Sequence, residues 1–157
     1  MNIHEELAKW LAQRERPQAL ILDIDETICT HFDQPISLAC KILKALTHTV
    51  KIYYVTARPE TCKKATEHFL ALHQLPGQGK VYYCPKWKSS TQHKLEVIGK
   101  LAKEYDVLLS IGDHEEEQKA SIAADIPFAK IDLLHPERSW QDIQKRLLAL
   151  DLLELHP

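Results

Sequence analysis

The sequence predicts an α/β fold in which a five-stranded parallel sheet carries helices on both faces. Three observations carry that reading. Short apolar runs of strand length alternate along the chain with stretches of helical periodicity. Those runs are continuous, without the alternating polar positions of a sheet that has one wet face, as expected of parallel strands covered on both sides. Ionisable residues stand directly after them, where open α/β sheets place their ligand sites.

Taken in order, Ile3, Leu7, Trp10 and Leu11 recur at helical spacing and predict an amphipathic leading helix within residues 1–16, with Pro17 as its break. Ala19–Ile24 is the first strand. Leu38, Ile42 and Leu46 repeat every fourth residue and predict a helix over 37–47 before a second strand at Lys51–Val55. Pro59 suits the first turn of a helix over 59–74, and Leu75-Pro-Gly-Gln-Gly79 reads as a loop. A third strand at Lys80–Cys84 precedes a helix over 92–104 marked by Leu95, Ile98, Leu101 and Ala102. Val107–Ile111, a helix over 115–124 and Pro127–Ile131 complete the alternation. A last helix over 139–150 opens on Ser139, with Asp142 three residues on resembling a capping box. All five strands are expected to be buried on both faces.

Composition narrows the class further. The 157 residues, 45% of them hydrophobic, suit one domain with a substantial core, here 19–131 between the two terminal helices. A formal charge of −2 gives no global field for nucleic acid or anionic membrane. Cys29, Cys40, Cys62 and Cys84 lack C-x-x-C or zinc-site spacing and read as reduced thiols. The polar, acidic amino terminus does not resemble a secretory signal, and no run approaches the roughly 20 apolar residues of a membrane span. A cytoplasmic protein without membrane contact is the expectation.

The chemistry concentrates in Leu20-Ile-Leu-Asp23-Ile-Asp25-Glu-Thr27-Ile28. Two carboxylates crowded at the end of a buried strand repel and lose solvation, so the arrangement asks for a hard cation. Magnesium fits, because it takes one or two carboxylates, keeps waters and completes its shell with substrate phosphate. Asp23-Ile-Asp25-Glu-Thr27 resembles the D-x-D-x-T signature of haloacid dehalogenase superfamily phosphatases. Three further segments resemble that superfamily's later motifs in order: Tyr54-Val55-Thr56-Ala57-Arg58, then Lys94, then Ser110-Ile-Gly112-Asp113-His-Glu-Glu-Glu117. The resemblance spans about residues 19 to 117 and implies a Rossmann-like, haloacid dehalogenase-like fold.

It also implies roles. Asp23 would attack phosphorus and form an aspartyl-phosphate, while Asp25 protonates the leaving oxygen and then activates water. Thr56 would hydrogen-bond a phosphoryl oxygen and Lys94 would neutralise developing charge. Mg²⁺ would be held by the Asp23 carboxylate, the Asp25 backbone carbonyl and Asp113, with Glu117 reaching it through water. Glu117 stands where Asp is commoner, and Glu116 competes for its part; the run Glu115–Glu117 also suits a helix amino terminus without any metal. Lys86 and Lys88 compete with Lys94, and Lys88 is otherwise a candidate for substrate binding. Arg58 reads either as a phosphate-binding fork or as a plain surface arginine.

Superfamily members that act on small metabolites often insert a cap domain, and here there is little room for one. Only 28 residues separate Thr27 from Thr56, and 37 separate Thr56 from Lys94. A capless enzyme with an open cleft is therefore expected, acting on a macromolecular phosphate. A phosphoprotein, with phosphotyrosine as one form, is the preferred substrate class. The alternatives are a nucleic-acid 3′-phosphatase or small-metabolite phosphatase of the same superfamily, and a non-catalytic module that binds a phosphorylated ligand. The last would be marked by loss of Asp23 or Asp25, and both are present.

Overall fold

The computed structural model describes residues 2–154. Along the chain lie α1 (Ile3–Glu15), β1 (Gln18–Leu22), a small ribbon of β2 (Cys29–Thr30) and β3 (Gln34–Pro35), α2 (Ser37–Lys44), β4 (Lys51–Val55) and α3 (Lys63–Leu72). They are followed by β5 (Val81–Tyr82), α4 (Ser90–Glu104), β6 (Asp106–Gly112), α5 (Glu115–Ala123), β7 (Phe128–Lys130) and α6 (Pro136–Ala149). The main sheet has the order β5-β4-β1-β6-β7, and every neighbouring pair is parallel.

Side chains alternate across the pleat, and the core divides accordingly. Leu20, Leu22, Ile52 and Tyr54 pack with residues of α2, α3 and α6, among them Ile42, Leu70 and Trp140. Ala19, Ile21, Tyr53 and Val55 turn the other way, toward Ile98 and Leu101 of α4 and Ala120 of α5. In β6 this parity is reset. Ala19 pairs with Val107 but Leu20 pairs with Leu109, so Leu108 is an extra residue, and Val107 and Leu109 end up in opposite halves of the core.

From β1 the chain lays β4 and β5 on one side, then returns to lay β6 and β7 on the other. Strand order reverses between β1 and β6, so a crevice opens beyond their carboxyl ends. No domain is inserted there. The β1–α2 connection holds only the β2–β3 ribbon, and α3 leads through a loop and β5 directly to α4.

Four details depart from the sequence reading. The edge strands β5 and β7 are shorter than expected and only partly covered, because an edge lacks a neighbour on one side. The β2–β3 ribbon has strands too short to show any periodicity. Residue 59 precedes a single 3₁₀ turn, Glu60–Cys62, before α3 begins. The last helix starts at Pro136 rather than Ser139; the Ser139 hydroxyl accepts from the Asp132 backbone N–H at 2.8 Å and donates to the His135 carbonyl, so it secures the entry to the helix instead of capping it. In α1 the expected apolar stripe is present but lies open: Ile3, Leu7, Trp10 and Leu11 are 46–77% exposed. Among the described residues, no helix is long and apolar enough to cross a membrane.

Candidate active site

Asp23 is the first residue past β1. Its backbone N–H continues the ladder to the Ile111 carbonyl of β6 at 3.0 Å, and its Oδ1 accepts from the Ile24 N–H at 2.8 Å. The side chain is therefore fixed at the crevice, where it is 6% exposed. One strand over, β6 ends on Gly112, and Asp113 follows at the same level. The chain then enters α5 through a capping box: the His114 ring accepts from the Glu116 N–H, and Glu117 Oε2 accepts from the His114 N–H at 3.1 Å.

That box folds Glu117 back over the strand end, and Gly112 makes room for it. A Cβ on residue 112 would stand 3.0 Å from Glu117 Cγ and 3.1 Å from its Cδ. From the other side, Lys94 on α4 reaches into the same space. Its Nζ lies 3.5 Å from Asp23 Oδ2 and is hydrogen-bonded to Glu117 Oε1. Lys94 and Glu117 are both buried.

Carboxylate oxygens of Asp23, Asp113 and Glu117 all lie within 4.8 Å of one another. Burial pushes the Asp23 carboxyl well above the usual carboxylate range; a hydrogen bond with Glu117 adds to this and the Lys94 charge opposes it. Burial likewise raises Asp113. Burial works against the Lys94 ammonium, yet Asp23 and Glu117 outweigh it and hold its pKa above the usual value. With one lysine facing three carboxyl groups, the cluster favours a further positive charge at the crevice, either a proton or a cation. The donor set is all hard oxygen, so these residues fit a magnesium ion.

Asp25 is placed differently. Its carboxylate takes a fork from Arg58, with Nε–Oδ2 at 3.0 Å and Nη2–Oδ1 at 2.7 Å, and it stands at the more exposed mouth of the crevice. Arg58 Nη2 also donates to Asp33 at 2.6 Å and its Nη1 to the Thr66 hydroxyl at 3.0 Å. The hydrogen bonds that it donates to Asp25 and Asp33 hold the guanidinium protonated against its partial burial. Arg58 is thus committed to acidic partners of this chain, an arrangement between the fork and the surface residue that its sequence position offered. Thr56, buried just past β4, accepts from the Arg58 N–H at 3.0 Å through its hydroxyl.

Among the competing lysines, Lys94 is the one brought to Asp23. Lys88 is paired with Glu96 and lies 4.7 Å from the Trp87 ring, and Lys86 is exposed. Between the two glutamates, Glu117 turns inward, while Glu116 takes the Ser90 hydroxyl at 3.0 Å and the Thr91 hydroxyl at 2.7 Å, tying α5 to the start of α4. His31 pairs with Glu26 at the surface, and His93 is buried with Nε2 3.1 Å from the Tyr82 carbonyl. Burial pushes the Cys29 thiol up to about 12, which disfavours the nucleophilic thiolate.

Sequence reasoning missed several supports. Asp33 completes the Arg58 network from the end of a 3₁₀ turn, His31–Asp33, with φ +54, and nothing local marks it. Trp140 of α6 is fully buried and donates its indole N–H to the Thr27 carbonyl at 2.8 Å, pinning the loop that follows Asp23. Only its aromatic character gave a signal, and its partner is 113 residues away.

No family model and no curated protein matches the chain. Among solved structures it is similar to a chain of the Pnkp1/Rnl/Hen1 RNA repair complex, at 19% identity and TM-score 0.65 over 74% of this chain and 42% of that one. It thus spans under half the length of that neighbour. The class C acid phosphatase from Bacillus anthracis with tungstate bound is similar at 17% identity and TM-score 0.49, over 98% of this chain and 87% of that one. The architecture is that of a haloacid dehalogenase-like Rossmann fold.

Proposed function

We propose that the chain is a phosphomonoesterase that works with Mg²⁺ and uses Asp23 as its nucleophile. The observation that carries this is the convergence of Lys94, Asp113 and Glu117 on the Asp23 carboxylate at the point where strand order reverses.

The fold and four ordered motifs support the chemistry. One Asp23 oxygen attacks phosphorus, the P–O bond to the leaving group breaks, and Asp25 supplies the proton that the departing oxygen takes up. An aspartyl-phosphate remains on Asp23. Water then attacks its phosphorus, Asp25 takes the water's proton back, and inorganic phosphate leaves with the Asp23 carboxylate restored. Lys94 offsets the charge that gathers between nucleophile and phosphate, and the Thr56 hydroxyl would hold a phosphoryl oxygen. Mg²⁺ held by Asp23 and Asp113, with Glu117 through water, would supply further neutralisation of the phosphate. Arg58 pairs with Asp25 at the mouth, so to act as the acid Asp25 leaves that fork, takes up a proton from solvent and turns toward the leaving oxygen as substrate enters.

The uncapped crevice supports a macromolecular substrate. A phosphoprotein is compatible with it. A phosphorylated nucleic-acid end is a second reading, favoured by the exposed Trp87 between Lys86 and Lys88 on the same rim and by the likeness to a chain from an RNA repair complex.

The covalent step is open to direct test. With an aryl phosphate carrying labelled phosphorus, rapid acid quenching and proteolysis should place the label on the peptide containing Asp23, in a form released by hydroxylamine. Turnover with no label on that peptide would overturn the mechanism.

A further inference from the structure

We propose that Trp87 is a base-stacking platform, and that with a lysine–tyrosine stripe beside it the chain binds the single-stranded end of a nucleic acid whose terminal phosphate enters at Asp23. This rests on the phosphatase reading and gives its substrate a binding surface.

Trp87 is 79% exposed, the most exposed of the large aromatic rings described. Its loop is nevertheless anchored. Cys84 N–H donates to the Arg58 carbonyl at 2.9 Å, Lys88 N–H closes a turn on Pro85 at 3.1 Å, and the Cys84 thiol donates to the Lys88 carbonyl at 3.5 Å. Lys88 then spans from Glu96 to the Trp87 face, 4.7 Å from the ring centroid. An apolar ring presented to water on an ordered backbone is pre-organised to stack, and every nucleobase offers a π face.

The loop also lies next to the chemistry. Its start is bonded to Arg58, which holds Asp25, and its end is Ser89, the N-cap of the helix that carries Lys94. Ser89 and Lys94 are five residues apart, about 8 Å along a helix, and Lys94 leans back toward the helix amino terminus, as helical side chains do.

Below the rim, basic and aromatic side chains continue in one line. Glu96 and Lys100 share a face of α4, Lys100 lies 5.9 Å from the Tyr82 ring, Tyr82 is 6.2 Å from Tyr53, and Lys80 is 5.5 Å from the Tyr53 ring. Glu96 is already neutralised by Lys88, and Glu104 lies beside Tyr53. Tyr53 is itself buried, so Lys80 and Lys100 offer charge to phosphates while the exposed Trp87 ring offers the stacking face; lysines spaced along one surface suit a chain of successive phosphates better than a peptide bearing a single phosphate.

The test compares wild type, Trp87→Ala, Trp87→Phe and Lys80→Ala/Lys100→Ala on three substrates: a short 3′-phosphorylated oligonucleotide, a phosphotyrosine peptide and an aryl phosphate. Binding of the labelled oligonucleotide to Asp23→Asn protein is measured in parallel by fluorescence anisotropy, without turnover. Trp87→Ala is expected to weaken oligonucleotide binding and lower kcat/KM on the oligonucleotide by roughly ten-fold or more beyond any loss on the aryl phosphate. Trp87→Phe should retain most of both, and the lysine pair should flatten the dependence of binding on salt. Equal losses on all substrates, a larger loss on the peptide, or tight binding that ignores Trp87 would overturn the proposal. Wild-type protein that cleaves no phosphate but still binds the oligonucleotide through Trp87 would instead overturn the phosphatase reading and leave the platform standing.

Discussion

Asp23 and Asp25 are two residues apart in sequence and have opposite surroundings. Asp23 is buried against a lysine and two further carboxylates, whereas Asp25 sits at the mouth in an arginine fork. The two-residue offset after a strand end separates the two duties of the proposed reaction, attack within the crevice and proton transfer at its edge. Lys94 is the charge that makes the inner cluster tolerable. Lys94→Met leaves Asp23, Asp113 and Glu117 without their cation and is expected to destabilise the metal-free protein by about 3–5 kcal/mol. Urea denaturation checks this, and millimolar Mg²⁺ should recover more stability in the variant than in wild type. Which of three lysines plays this part could not be read from sequence, because it depends on the rotation of α4 against the sheet. The positions of Thr56 and Asp113 at strand ends were legible, since Thr56 follows the apolar run of β4 and Asp113 follows that of β6 and its closing Gly112.

His93, the neighbour of Lys94, gives a pH signature. Burial lowers its pKa below the usual imidazole value. Below about 6.5 the unfolded chain then binds the proton more readily than the folded one. The stability contributed by neutral His93 is present above that pH and is lost as pH falls through the depressed folded value. Thermal melts of wild type and His93→Gln between pH 7.5 and 5 should diverge, with the flatter curve in the variant.

Elements position these residues through close approaches that composition alone does not reveal. Gly112 has no Cβ because Glu117 lies over it. Gly112→Ala is expected to displace Glu117 and cost about 1–3 kcal/mol, with weaker Mg²⁺ dependence of activity; unaltered stability and metal response would show that Glu117 needs no such space. Trp140 links α6 to the loop after β1. Trp140→Phe keeps most of the packing but orphans the Thr27 carbonyl, a loss of about 1–3 kcal/mol that denaturant melts would register. The central strands β1, β4 and β6 were readable because burial on both faces demands unbroken apolar runs. The β2–β3 ribbon, the Leu108 bulge and the true start of α6 at Pro136 were not: the ribbon's strands are too short to show a period, the bulge is a register shift against the distant β1, and the helix entry is settled by the bonds of Ser139 to Asp132 and His135.

At the scale of the whole molecule, the parallel sheet gathers every motif at one edge, and the short connections leave that edge uncovered. The fold class and the absence of a large cap were legible from alternation and from the lengths between motifs. The surface beside the cleft was legible only as composition, in Lys80, Lys86, Lys88, Lys94, Lys100 and Lys103 with Trp87, Tyr82 and Tyr83, because periodicity does not say which of these residues adjoin. The net charge of −2 conceals a basic, aromatic stripe on the α4–β5 side of an otherwise mildly acidic protein. Under the proposed reading, electrostatic guidance of a phosphorylated substrate is local to this side, and it should weaken as salt rises.

The central claim is that Asp23 performs covalent chemistry. Its most direct test is the rate of aryl phosphate hydrolysis with Mg²⁺ for wild type and Asp23→Asn, with circular dichroism verifying that both are folded. Wild type should turn over and the variant should lose at least about 10³-fold in kcat; a folded Asp23→Asn protein that hydrolyses the ester at the wild-type rate would contradict the account.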